Sequence, residues 1–292
     1  MELEGTLQAW VQARELERRM PKDGGVENAV LPFLKWAGGK RWLMSLGSEL
    51  SKTVEGTYVE PFLGSGAMFF ALRPSKAHLS DANQALIATY AALRENWKGV
   101  LGRLKQHDRL HCSDHYYFMR STKPRSPVGH AARFIYLNRT CWNGLYRVNR
   151  QGVFNVPIGT KKSALLDTDN FEEIARRLQN ASFAHEDFSS SIARAGEGDL
   201  VFADPPYTVR HQYNGFVKYN QQLFSWADQE RLFASLLAAK NRGARIVCTN
   251  ADHSSIRALY GRNFEMISVG RYSSIAGRGG KRGQYAEVII YG

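Results

Sequence analysis

Apolar positions along the chain follow two periods. Leu3, Leu7, Trp10 and Val11 recur at helical spacing, and the segment from Pro21 to Gly25 breaks that face. Short runs of strand type follow at Thr57–Glu60, Ala77–Ser80 and Ala181–His185. Asp199–Ala203 reads as a buried parallel strand, and Arg245–Thr249 as the next buried one. Between these two, Ser225-x-x-Asp228 forms a capping box that opens a helix with Leu232, Phe233, Leu236 and Leu237 on its core face. Gly243 stops that helix. Phe264–Tyr272 and Tyr285–Tyr291 read as a terminal antiparallel pair around a glycine-rich basic loop. Strands alternating with helices predict an α/β fold on a mainly parallel sheet.

The pattern changes between about residues 93 and 160, where basic helices lead to one hairpin-like segment, Tyr146–Asn155, with Gln151-Gly152 at its turn. The expected division is an N-terminal extension over 1–30, a catalytic domain over 31–92 and 161–292, and an inserted domain over 93–160. No internal repeat is present. The insertion would lie beside the carboxyl ends of the strands, where α/β sheets take their ligands.

Charge sharpens this division. A length of 292 residues suits one large α/β domain with an insertion, and a net charge of +12 suggests a polyanionic partner. From Arg103 to Lys162 there are twelve lysines and arginines against Asp108 and Asp114, so this stretch holds +10 of that charge. Arg271 to Arg282 adds four basic residues and no acid. The first twenty residues have no apolar core of a signal peptide, and no stretch is apolar enough to span a bilayer. Cys112, Cys141 and Cys248 lack paired ligand spacing and read as reduced thiols, so a cytoplasmic location is expected. His111-x-x-x-His115 could place two imidazoles on one helix face, but no further ligands accompany it and no metal is expected.

The candidate chemistry begins at Asp204-Pro205-Pro206-Tyr207, which directly follows the buried run. Two prolines fix φ and remove two N–H donors, so the turn is stiff and presents its carbonyls. An acid, a rigid carbonyl and an aromatic ring suit a planar amine. An exocyclic amino group on a base is a poor nucleophile, because its lone pair is delocalised into the ring. Asp204 and the Pro205 carbonyl could each accept one N–H and draw that lone pair out of conjugation, while Tyr207 stacks on the ring. Upstream, Glu60 leads into Pro61-Phe62-Leu63-Gly64-Ser65-Gly66, where two glycines permit a sharp turn and close backbone approach. Phe69 at the third-glycine position excludes the dinucleotide fingerprint. Asp81, ending the second strand, is placed to hold ribose hydroxyls.

Six blocks in order resemble the Dam-type family, DNA adenine methyltransferases that use S-adenosylmethionine. They are Phe33–Lys40, Glu60–Gly66, Asp81-Ala-Asn83, Asn143–Arg147, Phe154–Pro157 and Asp204–Tyr207, spanning roughly residues 30–292. The resemblance implies a Rossmann-like S-adenosylmethionine-dependent methyltransferase sheet with an inserted helical and β-hairpin target-recognition domain. It implies N6 methylation of an adenine flipped from double-stranded DNA, within GATC. Catalysis would fall to Asp204, Pro205, Pro206 and Tyr207. The cofactor would be held by Trp36, Lys40, Phe62, Gly64, Gly66, Asp81, Asp187, Phe188 and Asp204, with Lys40 on its carboxylate and Asp187-Phe188 on its adenine. DNA would be met by Lys35, Arg139, Trp142, Asn143, Leu145, Arg147 and Pro157. Arg147 is the guanine reader in this set, and Leu145 and Pro157 contact a thymine methyl. Trp142 stands where the family often has another aromatic. Two readings compete: an RNA adenine methyltransferase, opposed by the Asn143–Pro157 block, and a non-catalytic DNA-binding relic, opposed by the intact Asp81, Asp204 and Tyr207.

Overall fold

Five short strands hydrogen-bond in parallel: β1 (Tyr58–Glu60), β2 (Ala77–Asp81), β3 (Ala181–His185), β4 (Leu200–Ala203) and β5 (Arg245–Ala251). With β6 (Glu265–Tyr272) and β7 (Gln284–Tyr291) they form a seven-stranded sheet of order β3-β2-β1-β4-β5-β7-β6. β7 enters antiparallel between β5 and β6. The computed structural model describes residues 2–17, 30–51, 54–144, 146–149, 153–208, 224–272 and 284–292.

Alternation along the strands explains why they are apolar on both sides. Tyr58, Leu200, Phe202, Val247 and Ile289 point into one core, and Val59, Val201, Ala203, Ile246, Cys248, Val288 and Ile290 into the other. The first core lies under α1 (Glu2–Glu17), α2 (Met44–Leu50), α3 (Ala67–Leu72), α4 (Gln84–Arg109), α5 (Ser113–Ser121), α6 (Pro127–Thr140) and α7 (Phe171–Leu178). The second lies under α8 (Phe188–Ile192), α9 (Trp226–Asn241) and α10 (Ser254–Tyr260). The chain runs outward from β1 through β2 to β3, then restarts at β4 on the other side of β1. That reversal opens a crevice at the carboxyl ends of β1 and β4.

Several local expectations hold. Leu3, Leu7 and Trp10 are buried on α1, and the Trp10 indole N–H donates to Ser45 Oγ at 3.0 Å. Ser225 and Asp228 cap α9 reciprocally, with Leu232 and Leu236 buried, and Gly243 follows it at φ 90°. Val148 bridges Phe154, and Asn149 N–H donates to the Val153 carbonyl at 2.9 Å, so the expected hairpin pairs on both sides of its turn. The turn residues Gln151 and Gly152 lie outside the described residues, as does the basic loop before β7.

The segment between β2 and β3 shares its core with the sheet. The expected boundary at residue 92 falls inside α4, which kinks at Asn96 (φ −150°, ψ 62°) where Asn96 Oδ1 accepts from Gly99 N–H at 2.9 Å. α6 packs along α4, and Leu104, Tyr116, Phe134 and Leu137 join one cluster with Tyr58 and Leu200. His111 precedes α5, whose cap is Cys112, so His111 and His115 do not share a helix face. His111 instead meets Tyr136 OH at 2.7 Å, and His115 meets His107 at 3.2 Å. Among the described residues no helix is long and apolar enough to cross a membrane, and no three His, Cys, Asp or Glu are grouped to hold a metal ion.

Candidate active site

Asp204 leaves the carboxyl end of β4, where Ala203 pairs with Cys248 of β5. The next residue on β5, Thr249, therefore lies beside Asp204, and its hydroxyl donates to Asp204 Oδ1 at 2.6 Å. Lys40 Nζ reaches the same oxygen at 2.9 Å. Among the described residues nothing donates to Oδ2. The carboxylate is thus pinned through Oδ1. Lys40 is 4% exposed, and it also donates to the Gly38 carbonyl at 3.1 Å and lies 3.5 Å from Glu287 Oε2. The Tyr207 ring centre is 4.6 Å from the ammonium, and the Tyr207 hydroxyl donates to Glu287 Oε2 at 3.0 Å. Burial raises the pKa of Asp204 above the ordinary carboxylate value, with Lys40 and Thr249 acting against that rise and Glu287 adding to it.

The glycine loop stands opposite, after β1. Gly64 has φ 48°, and a side chain there would bring its Cβ within 2.8 Å of the Trp36 ring. Its N–H donates to Asp81 Oδ2 at 3.0 Å, and its carbonyl accepts from Tyr90 OH at 3.2 Å. Asp81 Oδ1 accepts from Asn83 N–H at 2.9 Å. Asp81 therefore ties the ends of β1 and β2 together, and burial raises its pKa against the pull of those two N–H groups. Gly66, at φ 65°, caps α3. Glu60 is buried beneath the loop and accepts from Tyr58 OH at 2.9 Å. Burial holds its carboxyl well above the ordinary range, with the Tyr58 hydroxyl and the Phe69 N–H acting in the other direction.

Aromatic rings close the sides. Phe62 stacks on Phe188 at 5.4 Å, and Phe224 meets these two at 5.7 and 5.6 Å. Trp36 packs on Tyr146 at 6.1 Å and Phe134 at 6.3 Å, joining the loop to α6. Asp187 is less available than its place in the sequence suggests. It caps α8 through Ser189 N–H at 2.9 Å and pairs with Arg231 at 2.7 Å.

The expected DNA-facing residues divide. Lys35 is exposed, and its backbone is clamped by Asn138, which accepts from Lys35 N–H at 2.9 Å and donates to its carbonyl at 2.7 Å. Its side chain lies over Gly144, where a Cβ would come within 2.5 Å of Lys35 Cδ. The tight turn Trp142–Gly144 holds Asn143 at φ 55° and leaves Trp142 53% exposed. Trp142 N–H donates to the Pro157 carbonyl at 2.9 Å. Lys35, Trp142, Asn143 and Pro157 thus occur on one stretch of surface, and Arg147 is exposed. Leu145 lies outside the described residues. Arg139 departs from expectation: it is 3% exposed, and its guanidinium is consumed by the Phe33 and Ala164 carbonyls and by Asp169. Its place near the end of α6 sets it between the Phe33 segment and the Ala164–Asp169 segment, inside the protein.

Lys40 lies between two carboxylates of the protein, Asp204 and Glu287. Thr249, Glu287 and Phe224 belong to the site without having been singled out. The one available signal was a lone acid, Glu287, at the head of the apolar run Val288–Tyr291.

The model of the D12 class N6 adenine-specific DNA methyltransferases matches residues 36–275. The type II methyltransferase M1.LlaDCHI of Lactococcus lactis subsp. cremoris is 32% identical over 268 residues, covering 89% of this chain and 94% of that protein. The DNA adenine methylase of Escherichia coli strain K12 is 32% identical over 263 residues, covering 88% of this chain and 93% of its own. The DNA N-6-adenine-methyltransferase of Escherichia phage P1 is 30% identical over 279 residues, covering 94% of this chain but 36% of the phage protein. These matches agree with the family that the six sequence blocks resemble.

Proposed function

We propose that this chain, which belongs to the D12 class of N6 adenine-specific DNA methyltransferases, methylates an adenine flipped out of double-stranded DNA within GATC, with S-adenosylmethionine as donor. The observation that carries the reading is Asp204 at the crevice between β1 and β4, held through Oδ1 by Lys40 and Thr249 and with no donor to Oδ2 among the described residues. An adenine amine entering there would donate one N–H to Oδ2 and the other to the Pro205 carbonyl. Both bonds draw the nitrogen toward tetrahedral geometry and localise its lone pair. Two prolines keep the carbonyl in place, and the Tyr207 ring offers a stacking face. The raised proton affinity of Asp204 suits it to receive the proton that the amine gives up on methylation.

The residues present fit the donor. Gly64 admits close backbone approach, Phe62 and Phe188 offer ring faces, and each Asp81 oxygen accepts a single backbone N–H and so keeps capacity for a ribose hydroxyl. Asp81 and Asp204 outnumber Lys40, whose charge Glu287 shares, and this favours a cationic ligand. S-Adenosylmethionine would supply an electrophilic methyl group on its sulfonium. Lys40 serves Asp204 in this reading, not the donor's carboxylate, and Asp187 orients Phe188 by capping α8.

Residues 93–160 would form the target-recognition segment, with Lys35, Trp142, Asn143, Arg147 and Pro157 toward DNA. Flipping exposes the target amine, as enzymes acting on bases generally require. The test is methyl transfer from tritiated S-adenosylmethionine to unmethylated plasmid, followed by base-resolution mapping of N6-methyladenine. Label confined to the adenines of GATC is expected. Adenine label elsewhere would replace the target sequence, and no label in DNA would overturn the reading.

A further inference from the structure

Glu287 stands on β7, far in sequence from every motif of the site, yet it is 5% exposed and faces its centre. Its Oε2 accepts from the Tyr207 hydroxyl at 3.0 Å and lies 3.5 Å from Lys40 Nζ. The other anion on that ammonium is Asp204, at 2.9 Å. One cation is therefore shared between two carboxylates, Asp204 just after β4 and the buried Glu287 on β7, under the ring of Tyr207. Sheet pairing does not require this acid, because β7 joins β5 and β6 through its backbone and its other inward positions, Val288 to Tyr291, are apolar. A carboxylate kept in such a strand has to be held by its partners.

We infer that Glu287 is a positioning residue for methyl transfer, acting through Lys40 and Tyr207 on Asp204 and on the incoming base. The inference rests on the assignment of Asp204 to the reacting amine. Attraction falls with distance, so an ammonium paired with Asp204 alone would draw closer and weaken that carboxylate as a hydrogen-bond acceptor. A second carboxylate at 3.5 Å takes part of the cation's charge and leaves Asp204 Oδ2 a stronger acceptor. Through the hydroxyl bond, Glu287 also fixes the tilt of the Tyr207 ring. The groups around Asp204 are Lys40 before α2, Glu60 on β1, Tyr207 in its own turn, Cys248 and Thr249 on β5, and Glu287 on β7. Of these, Glu287 raises its proton affinity and Lys40 and Thr249 lower it.

The experiment compares wild type, Glu287→Gln and Glu287→Asp in single-turnover transfer to adenine DNA across pH. Glutamine keeps the size and the acceptor for Tyr207 but removes the charge. E287Q should transfer about tenfold or more slowly at its plateau, less than the roughly hundredfold of a group that itself takes the proton, because Glu287 acts through Lys40 and Tyr207. Affinities for DNA and donor should stay within about twofold, because the group acts on the transition state. The acid limb of the rate profile should move to lower pH, because Asp204 loses an anionic neighbour and keeps its cation. E287D, which retains the charge, should return the limb to the wild-type position. A general structural defect would lower the rate alike at every pH and leave the limb in place, and that result overturns the inference. An E287Q enzyme with the wild-type rate overturns it too, leaving the function intact. A wild-type protein that transfers nothing to DNA overturns the function itself and this inference with it. Should E287Q not fold, E287D and Tyr207→Phe are combined. Non-additive losses support a shared path, and additive losses overturn it.

Discussion

Arg139 and Asp169 meet inside the protein through two hydrogen bonds of 2.6 and 2.5 Å, so a residue from the most basic stretch of the chain is a structural tie. The same guanidinium donates to the carbonyls of Phe33 and Ala164, joining α6 to the segments before α2 and α7. Arg139→Ala strands a half-buried carboxylate and two carbonyls. Loss of one partner of a buried pair costs about 3–5 kcal/mol. Urea unfolding should show that loss, while the folded fraction binds DNA as wild type does. Unchanged stability with weakened DNA binding would return Arg139 to the DNA surface.

Arg147 is exposed and should behave in the opposite way. A bidentate arginine–guanine pair contributes about 1–3 kcal/mol of discrimination at one position. Arg147→Ala is expected to relax selection at a single G·C pair and leave stability unchanged. Competition binding with singly substituted duplexes at fixed salt checks this, and uniform weakening across all duplexes would assign Arg147 to phosphate instead.

Asp204→Asn keeps the shape of the acceptor but removes its charge. Methyl transfer should fall by about a hundredfold or more, the scale of a lost proton acceptor. DNA affinity should stay within several-fold, because phosphate contacts dominate it. Tritium transfer and gel-shift titration measure the two. Transfer above about a tenth of wild type would remove Asp204 from catalysis.

Asp81→Ala should weaken S-adenosylmethionine binding by about 1.5–3 kcal/mol, the scale of hydrogen bonds to a charged group. It also frees the Gly64 and Asn83 N–H groups, so a lower thermal midpoint is expected alongside. Calorimetry with unchanged donor affinity would exclude Asp81 from the donor site.

His107 gives the fold a pH dependence. Burial, then His115 and Arg103, push its pKa from the ordinary 6.5 to about 4. The folded state binds this proton less readily than the unfolded chain. Its contribution to stability is therefore whole above 6.5 and is lost as pH falls toward about 4. His115 and His130, also lowered, act in the same sense. Urea midpoints should drop through that window, and His107→Phe should flatten part of the fall. Identical slopes in the two proteins would exclude His107.

Much of the molecule was decided locally and was therefore legible in the sequence. Two prolines stiffen the turn after Asp204 whatever surrounds it, glycine permits the backbone of Gly64, and Ser225 and Asp228 cap α9 within three residues of each other. The α/β architecture followed from apolar runs alternating with helical spacing. What needed the tertiary structure was contact between segments far apart in the chain. Thr249 and Glu287 reach Asp204 and Lys40 because β5 adds beside β4 and β7 inserts antiparallel beside β5. Nothing near either residue encodes that neighbour. Charge misled in the same way. Arg139 and Arg147 look alike as basic residues of one segment, but Arg139, near the end of α6, is enclosed by Phe33, Ala164 and Asp169, whereas Arg147, beyond that helix, stays in solvent. Lys40 reads as a group awaiting an outside anion, and the assembled sheet supplies two from within. Backbone preference acts within a few residues, whereas the partner of a buried charge depends on which strands become neighbours.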